Sequence, residues 1–307
     1  MEKTIQELFF HLAERGFQGR IMPIQHVEDL QEEITGRREQ GLFDADFYQE
    51  RLTWFDFNSP ASLPGAASLI VVAVPRPQTR VSFTWNGLSR SFILPPTYAE
   101  YRETQQLVEE LLTGILAPAG FHVTPPALPL KLLAARSGLG QYGKNNICYV
   151  PGMGSFHQLT AVYSDLPAPD DGWQEAQMME RCRTCNACLH KCPTGAISSD
   201  RFLLHADKCL VFHNERPASA AFPSWIDPAW HNCLMGCMDC QRVCPEDKPF
   251  MQWVENGQEF SQEETAILLK GTRLEQLSAA TAEKLKRLNL ADDVELMPRN
   301  LGVLLAR

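Results

Sequence analysis

Nine of the ten cysteines in this 307-residue chain lie between Cys182 and Cys244. The first four stand in C-R-T-C-N-A-C-L-H-K-C-P, a C-x2-C-x2-C-x3-C-P spacing. Three cysteines so spaced let a short loop wrap one face of a four-iron cube. The fourth, held by its proline, turns away toward a second cube. A later run, C-L-M-G-C-M-D-C-Q-R-V-C-P, ends in the same way. The pattern is a pseudo-repeat of two cluster-binding halves with a long insert between them. Cys182, Cys185, Cys188 and Cys244 are assigned to one [4Fe-4S] cluster. Cys192, Cys237 and Cys240 are assigned to the second, which needs one more ligand. Cys209, in D-K-C-L-V-F, and Cys233, in H-N-C-L, compete for that place, and spacing does not choose between them. Zinc knuckles rarely use such a run. A disulfide set does not suit a chain with no secretory signal.

Composition bounds what surrounds these cysteines. The length suffices for two domains with sizeable cores. A hydrophobic content of 44% and a charged content of 21% describe a folded chain. The net charge of -9 argues against broad electrostatic binding of nucleic acid. The longest apolar run, 69–74, is far too short to span a bilayer. These features predict a cytoplasmic protein with no membrane contact.

The elements that must position the cysteines follow from periodicity. Leu8, Phe9, Leu12 and Ala13 mark a helix over 5–15, stopped at Gly16, and 27–38 reads as a more polar one. The aromatic stretch 43–57 reads as packing. L-P-G-A-A-S-L-I-V-V-A-V-P predicts a turn feeding a buried strand over 68–74. Segments 80–85 and 89–94 alternate in polarity around Asn86-Gly87, a hairpin signal. A long helix is expected over 98–116, a short strand from Gly120 to the Pro125-Pro126 pair, and a helix over 128–136. Strands are expected at 147–150 and 156–163, a linker at 167–172, and helices at 261–269 and 281–288.

Between the 128–136 helix and the next strand lies S-G-L-G-Q-Y-G-K-N-N. Gly138, Gly140 and Gly143 formally match G-x-G-x-x-G. A dinucleotide fingerprint needs a strand before it and a helix after, and here the order is reversed. Dinucleotide binding is therefore rejected. The glycines permit close backbone approach, and Lys144, Asn145 and Asn146 bring donors to it.

R-S-G-L-G-Q-Y-G-K-N, then G-S-F, the first cysteine run, D-K-C-L and G-C-M-D-C-Q-R-V-C-P together resemble the epoxyqueuosine reductase family. The resemblance implies an α+β fold. A nitroreductase-like corrinoid-binding domain (1–172) would precede a ferredoxin-like double [4Fe-4S] domain (173–250) and a helical C-terminal tail (251–307). It implies two [4Fe-4S] clusters, a cobalamin, and reduction of an epoxide on a modified tRNA nucleoside. It also implies Cys209 as the missing ligand. Gly138, Gly140, Gly143, Lys144, Asn145 and Ser155 would lie beside the cobalamin.

Departures from the family pattern bear on the substrate. The family's aspartate proton donor is aligned with Thr124, whose hydroxyl is no practical general acid at neutral pH. An arginine further on is aligned with Lys131, which loses bidentate anion recognition. The chain also stops where many members continue into helical repeats. These changes predict a substrate other than the tRNA epoxide, either a small molecule or a partner protein. Tyr98, Tyr101, Lys131 and His157 are the candidate proton donors, with His157 also a candidate cobalt ligand. The expected electron donor is a flavodoxin or ferredoxin. The alternative is an iron–sulfur electron-transfer protein that reduces a partner's corrinoid or redox centre.

Overall fold

The computed structural model describes residues 1–306. The chain begins α1 (Glu2–Glu14), β1 (Gln18–Pro23), α2 (His26–Glu39), α3 (Ala45–Arg51) and β2 (Ser68–Pro75). A hairpin of β3 (Gln78–Trp85) and β4 (Leu88–Leu94) leads to α4 (Tyr101–Leu116), β5 (Val123–Thr124) and α5 (Leu130–Arg136). Then come β6 (Gln141–Tyr142), β7 (Cys148–Tyr149) and β8 (His157–Ser164). The cysteine region holds three short helices, α6 (Ala187–Lys191), α7 (Leu210–Asn214) and α8 (Asp239–Arg242). The chain continues through β9 (Val254–Phe260), α9 (Gln262–Leu269), α10 (Ala279–Arg287) and α11 (Met297–Leu305). The mixed α+β content agrees with expectation.

The chain forms two compact units, Met1–Pro75 with Arg102–Asn186, and Arg76–Tyr101 with Ala187–Arg307. This division differs from the three consecutive domains predicted. The β3–β4 hairpin leaves the first unit for the second. The segment expected as a separate tail is built into the second unit.

In the first unit the strands run in the order β1-β2-β8-β5, antiparallel throughout. Side chains alternate across a strand, and β2 is apolar on both faces. Leu69, Val71 and Ala73 pack with Val27, Leu30 and Ile34 of α2 and Leu132 and Leu133 of α5. Ile70, Val72 and Val74 pack with Leu8 and Leu12 of α1 and Val108, Leu112 and Leu116 of α4. Each of the Val, Leu and Ile side chains contributes about 1.5–3 kcal/mol by leaving water. Helix α5 precedes β6 and β7, so the order around the glycine loop is the reverse of a dinucleotide site, as predicted.

In the second unit the order is β4-β3-β9, with β3 antiparallel to β4 and parallel to β9. Asn86 (φ 51°) and Gly87 (φ 74°) both adopt left-handed backbone in the hairpin turn, the conformation a two-residue type I′ connection demands. Phe83 of β3 stacks on Phe260 of β9, with ring centroids 4.8 Å apart. Leu268, Leu285, Leu301 and Leu304 from the three C-terminal helices join the same core as Leu234 and Met235 of the cysteine region. A capping box between Ser261 and Glu264 starts α9. Strands β1 and β9 and helix α11 were not anticipated. β9 carries V-E-N-G-Q-E-F, too polar and too broken by Gly257 to signal a strand.

Helix α11 ties the C-terminus to the cysteine region by polar contacts. Asn300 is buried and its amide donates to the carbonyls of Asn214 (2.9 Å) and Leu234 (3.1 Å). The Arg299 guanidinium donates to the carbonyls of Asn214, Arg216, Pro217 and Ala220. Replacing Asn300→Leu removes donors that the Leu234 and Asn214 carbonyls rely on. The second unit should lose about 1–3 kcal/mol, read as a lower urea midpoint with an unchanged slope.

Candidate iron–sulfur site

The second unit gathers the sulfurs assigned to the second cluster. Cys209 precedes α7, and the backbone N–H groups of Val211 and Phe212 donate to its sulfur. Burial pushes its thiol up to about 12; those two amides oppose the shift, while the nearby charges of Cys237 and Cys192 add to it. Burial also raises the Cys237 thiol, against the amide of Asp239 and the side chain of Asn232, with Cys192 again contributing. The Asn232 amide donates to Cys237 Sγ at 3.3 Å. Cys192, Cys209 and Cys237 therefore share one small volume supplied with N–H donors suited to thiolates. Helices α6 and α8, which carry Cys188 and Cys240, pack on each other.

Cys233 is placed differently. It is 1% exposed, and its thiol donates to Asn232 Oδ1 at 3.1 Å. That same oxygen accepts the Met238 amide at 3.0 Å. Burial, then the charge of Cys237, raises the Cys233 thiol. The thiol's donation to Asn232 suits a structural role for Cys233. Asn232, whose side chain touches Cys237 and Cys233, was missed by sequence reading; its only signal is a polar residue directly before a cysteine. Gly236 has φ 74°, and a Cβ there would stand 2.8 Å from the Tyr98 ring, so the turn into Cys237 requires glycine. Among the described residues, no three of His, Cys, Asp and Glu close round a single ion; a four-iron cube needs its thiolates spread over its corners.

The glycine loop departs from expectation. The N–H of Gly138 donates to Ala135, that of Gly140 to Ala134, and that of Gly143 to Ile147. A Cβ on Gly140 would meet Cys148 Sγ at 2.7 Å and the Tyr149 carbonyl at 2.8 Å; one on Gly143 would meet Asn145 Oδ1 at 2.4 Å. Asn145 donates to the Tyr149 hydroxyl (3.0 Å) and accepts from the Ile147 amide. Ser155 is buried. Lys144 Nζ donates to the Cys185 carbonyl (2.8 Å) and Asn186 Oδ1 (2.6 Å). The glycines let the loop fold on itself and on β7. They present no open cradle of amide groups, so these residues do not fit a corrinoid in the way expected. A larger side chain at Gly140, such as valine, would collide with β7.

The four candidate proton donors fall in both units. Tyr98, in the second, donates its hydroxyl to Glu215, and burial followed by that carboxylate holds its pKa far above the usual range. Burial also raises Tyr101. Tyr98 is thus a committed structural donor beside Cys209 and Cys233, whose charges it feels. In the first unit Lys131 is exposed on α5. His157 on β8 is 4% exposed and donates from Nε2 to the Cys148 carbonyl at 3.1 Å, while Nδ1 is buried without a partner. Burial pushes His157 down to about 4, so the ring is neutral at pH 7. Thr124 shares a hydrogen bond with Ser62 at 2.9 Å.

Two predictions follow from this geometry. Anaerobically reconstituted Cys209→Ala should lose about half of the iron, whereas Cys233→Ala should keep it all, read by iron analysis. His157 takes up a proton on unfolding wherever the pH lies between about 4 and 6.5. Stability should therefore be fully present above pH 6.5 and fall as the pH drops toward 4, by about 3 kcal/mol in all. His157→Phe should flatten that part of the stability profile.

Residues 181–247 match a family model described as a 4Fe-4S double cluster binding domain. The chain is 34% identical to an epoxyqueuosine reductase of Pseudomonas aeruginosa over 146 residues, 47% of this chain and 39% of that relative. The match thus spans less than half the length of the curated relative. The fold is that of epoxyqueuosine reductase from Streptococcus thermophilus, with a TM-score of 0.67 at 19% identity, covering 98% of this chain and 80% of that one. It is equally that of an epoxyqueuosine reductase solved with an epoxyqueuosine-modified tRNA stem loop, with a TM-score of 0.68 at 20% identity, covering 99% and 81%. In sequence over about half its length, and in fold over nearly all of it, the chain resembles the epoxyqueuosine reductases, as its cysteine runs and glycine loop implied.

Proposed function

We propose that this chain is an iron–sulfur reductase of the epoxyqueuosine reductase type. The observation that carries this reading is the gathering of Cys192, Cys209 and Cys237 among N–H donors. Together with Cys240 they would hold one [4Fe-4S] cluster. Cys182, Cys185, Cys188 and Cys244 would hold the other, on their spacing. When bound, such clusters pass single electrons. The chain's own part is to aim amide hydrogens at the sulfurs, from Val211, Phe212, Asp239 and Asn232. Those hydrogen bonds favour the more negative, reduced state and raise the reduction potential. A low-potential one-electron donor of the flavodoxin or ferredoxin kind would supply the electrons. A cytoplasmic setting suits a chain that must keep its cysteines reduced.

Cobalamin enters through the resemblance as the group that would carry reducing equivalents to a substrate. Because the residues named for it, five in the glycine loop and Ser155 beyond it, are committed within the chain, no step is assigned to them.

The relatives' activity makes epoxyqueuosine in tRNA the substrate of this reading, in place of the non-tRNA substrate that the sequence departures predicted. Thr124 favours a second reading, reduction of a different substrate, since no carboxylic acid stands at that position. One assay separates the two. Protein loaded with iron, sulfide and cobalamin, and reduced with a low-potential donor, is given tRNA bearing epoxyqueuosine. Formation of queuosine supports the first reading. Thr124→Asp should then raise the rate by about 100-fold or more, the usual worth of a positioned general acid. Fully reduced, fully loaded protein that leaves the tRNA unchanged would remove the first reading and leave the second substrate class or the electron carrier.

A further inference from the structure

The glycine loop, folded on itself and on β7, is also bound to another segment. It grips the segment that delivers the first two cluster cysteines. The Gln174 amide donates to the Arg136 carbonyl at 2.9 Å, at the end of α5. The Tyr142 amide donates to the Gln177 carbonyl at 2.8 Å, and the Met179 amide donates back to the Tyr142 carbonyl at 2.9 Å. The Cys182 amide in turn donates to the Met179 carbonyl at 2.9 Å. Two residues further along the loop, Lys144 reaches the Cys185 carbonyl and Asn186 Oδ1. The loop and the approach to Cys182 and Cys185 are thus laced together, all within the first unit.

The partners of Lys144 matter. Both are neutral oxygens, a backbone carbonyl and a side-chain amide. A carboxylate in their place would cancel the ammonium's field; neutral oxygens hold it in position and leave its charge in force. The turn behind it is stiff, since Asn145 is buried and bonded to Tyr149 and Ile147. A fixed, uncompensated cation therefore stands against the backbone of a cluster ligand.

We infer that Lys144 is a positioning residue that raises the reduction potential of the cluster held by Cys182 and Cys185. This rests on the iron–sulfur reading above. Taking up one electron from a low-potential donor makes the cluster one charge more negative. A nearby ammonium stabilises that product more than the oxidised cluster. The same contact fixes the Cys185 backbone, so a structural role must be separated from an electrostatic one.

Lys144→Gln keeps a donor for the Cys185 carbonyl and removes the charge, and Lys144→Arg keeps both. Anaerobic, cluster-loaded wild type and variants are titrated with dithionite, following each cluster's reduced signal by electron paramagnetic resonance. In Lys144→Gln, with iron content unchanged, one signal should move to more negative potential and the other stay. At the wild-type midpoint its reduced-to-oxidised ratio should fall about tenfold, equivalent to about 59 mV for one electron. Lys144→Arg should stay near wild type. Lys144→Met serves as the second neutral variant and should shift the same signal if it retains iron. Iron-loaded Lys144→Gln with both midpoints unmoved would overturn this inference alone and leave Lys144 a strut. Wild-type protein that takes up no iron would remove the cluster reading and this inference together.

Discussion

Several ionisable sulfurs must be held close together and partly out of water, and the second unit is organised around that constraint. Burial and mutual repulsion both oppose the thiolate form, which is why the Cys209 thiol rises to about 12 before any iron is considered. Iron relieves that cost, because a thiolate bound to it is no longer an isolated buried charge. The chain contributes the rest. Amide hydrogens of Val211 and Phe212 point at Cys209, and Asn232 points at Cys237. Asn232 is held by Met238 and Cys233, and the backbone around Asn214 and Leu234 is held by Asn300. The C-terminal helices are thus part of the cluster-binding unit, which is why they share its core.

The first unit answers a different need. Its buried β2–β8 pair supports α5 on one face, and α5 launches the glycine loop. The loop folds onto β7 because Gly140 and Gly143 have no side chain to keep it away. Its remaining contacts run to residues 177–186, so the sheet's rigidity reaches Cys182 and Cys185 through a few hydrogen bonds. The chemistry-bearing motif and the glycine motif, far apart in character, are joined by Lys144.

Much of this was legible in the sequence where the controlling physics is local. The cysteine runs are legible because three ligands on one loop must be spaced closely whatever the rest of the chain does. The Asn86-Gly87 turn is legible because few residues accept its left-handed backbone, and β2 because an apolar run of that length has few other uses. Spacing did not choose between Cys209 and Cys233, and only the resemblance implied Cys209, because the choice depends on which sulfurs lie together in space. The glycine loop was half legible: its glycines announced a close approach but not what approaches, and that proved to be β7. Strand β9 was invisible because a polar segment became a strand only by pairing with β3, far away in sequence. The grip of Arg299 and Asn300 on backbone carbonyls has no periodicity to announce it.

The central claim is that the gathered cysteines hold two four-iron clusters. The most direct measurement is iron, acid-labile sulfide and zinc per chain in protein purified without oxygen. The account predicts about eight irons and about eight sulfides with no stoichiometric zinc. Zinc at one or two per chain, or iron without matching sulfide after reconstitution, would contradict it.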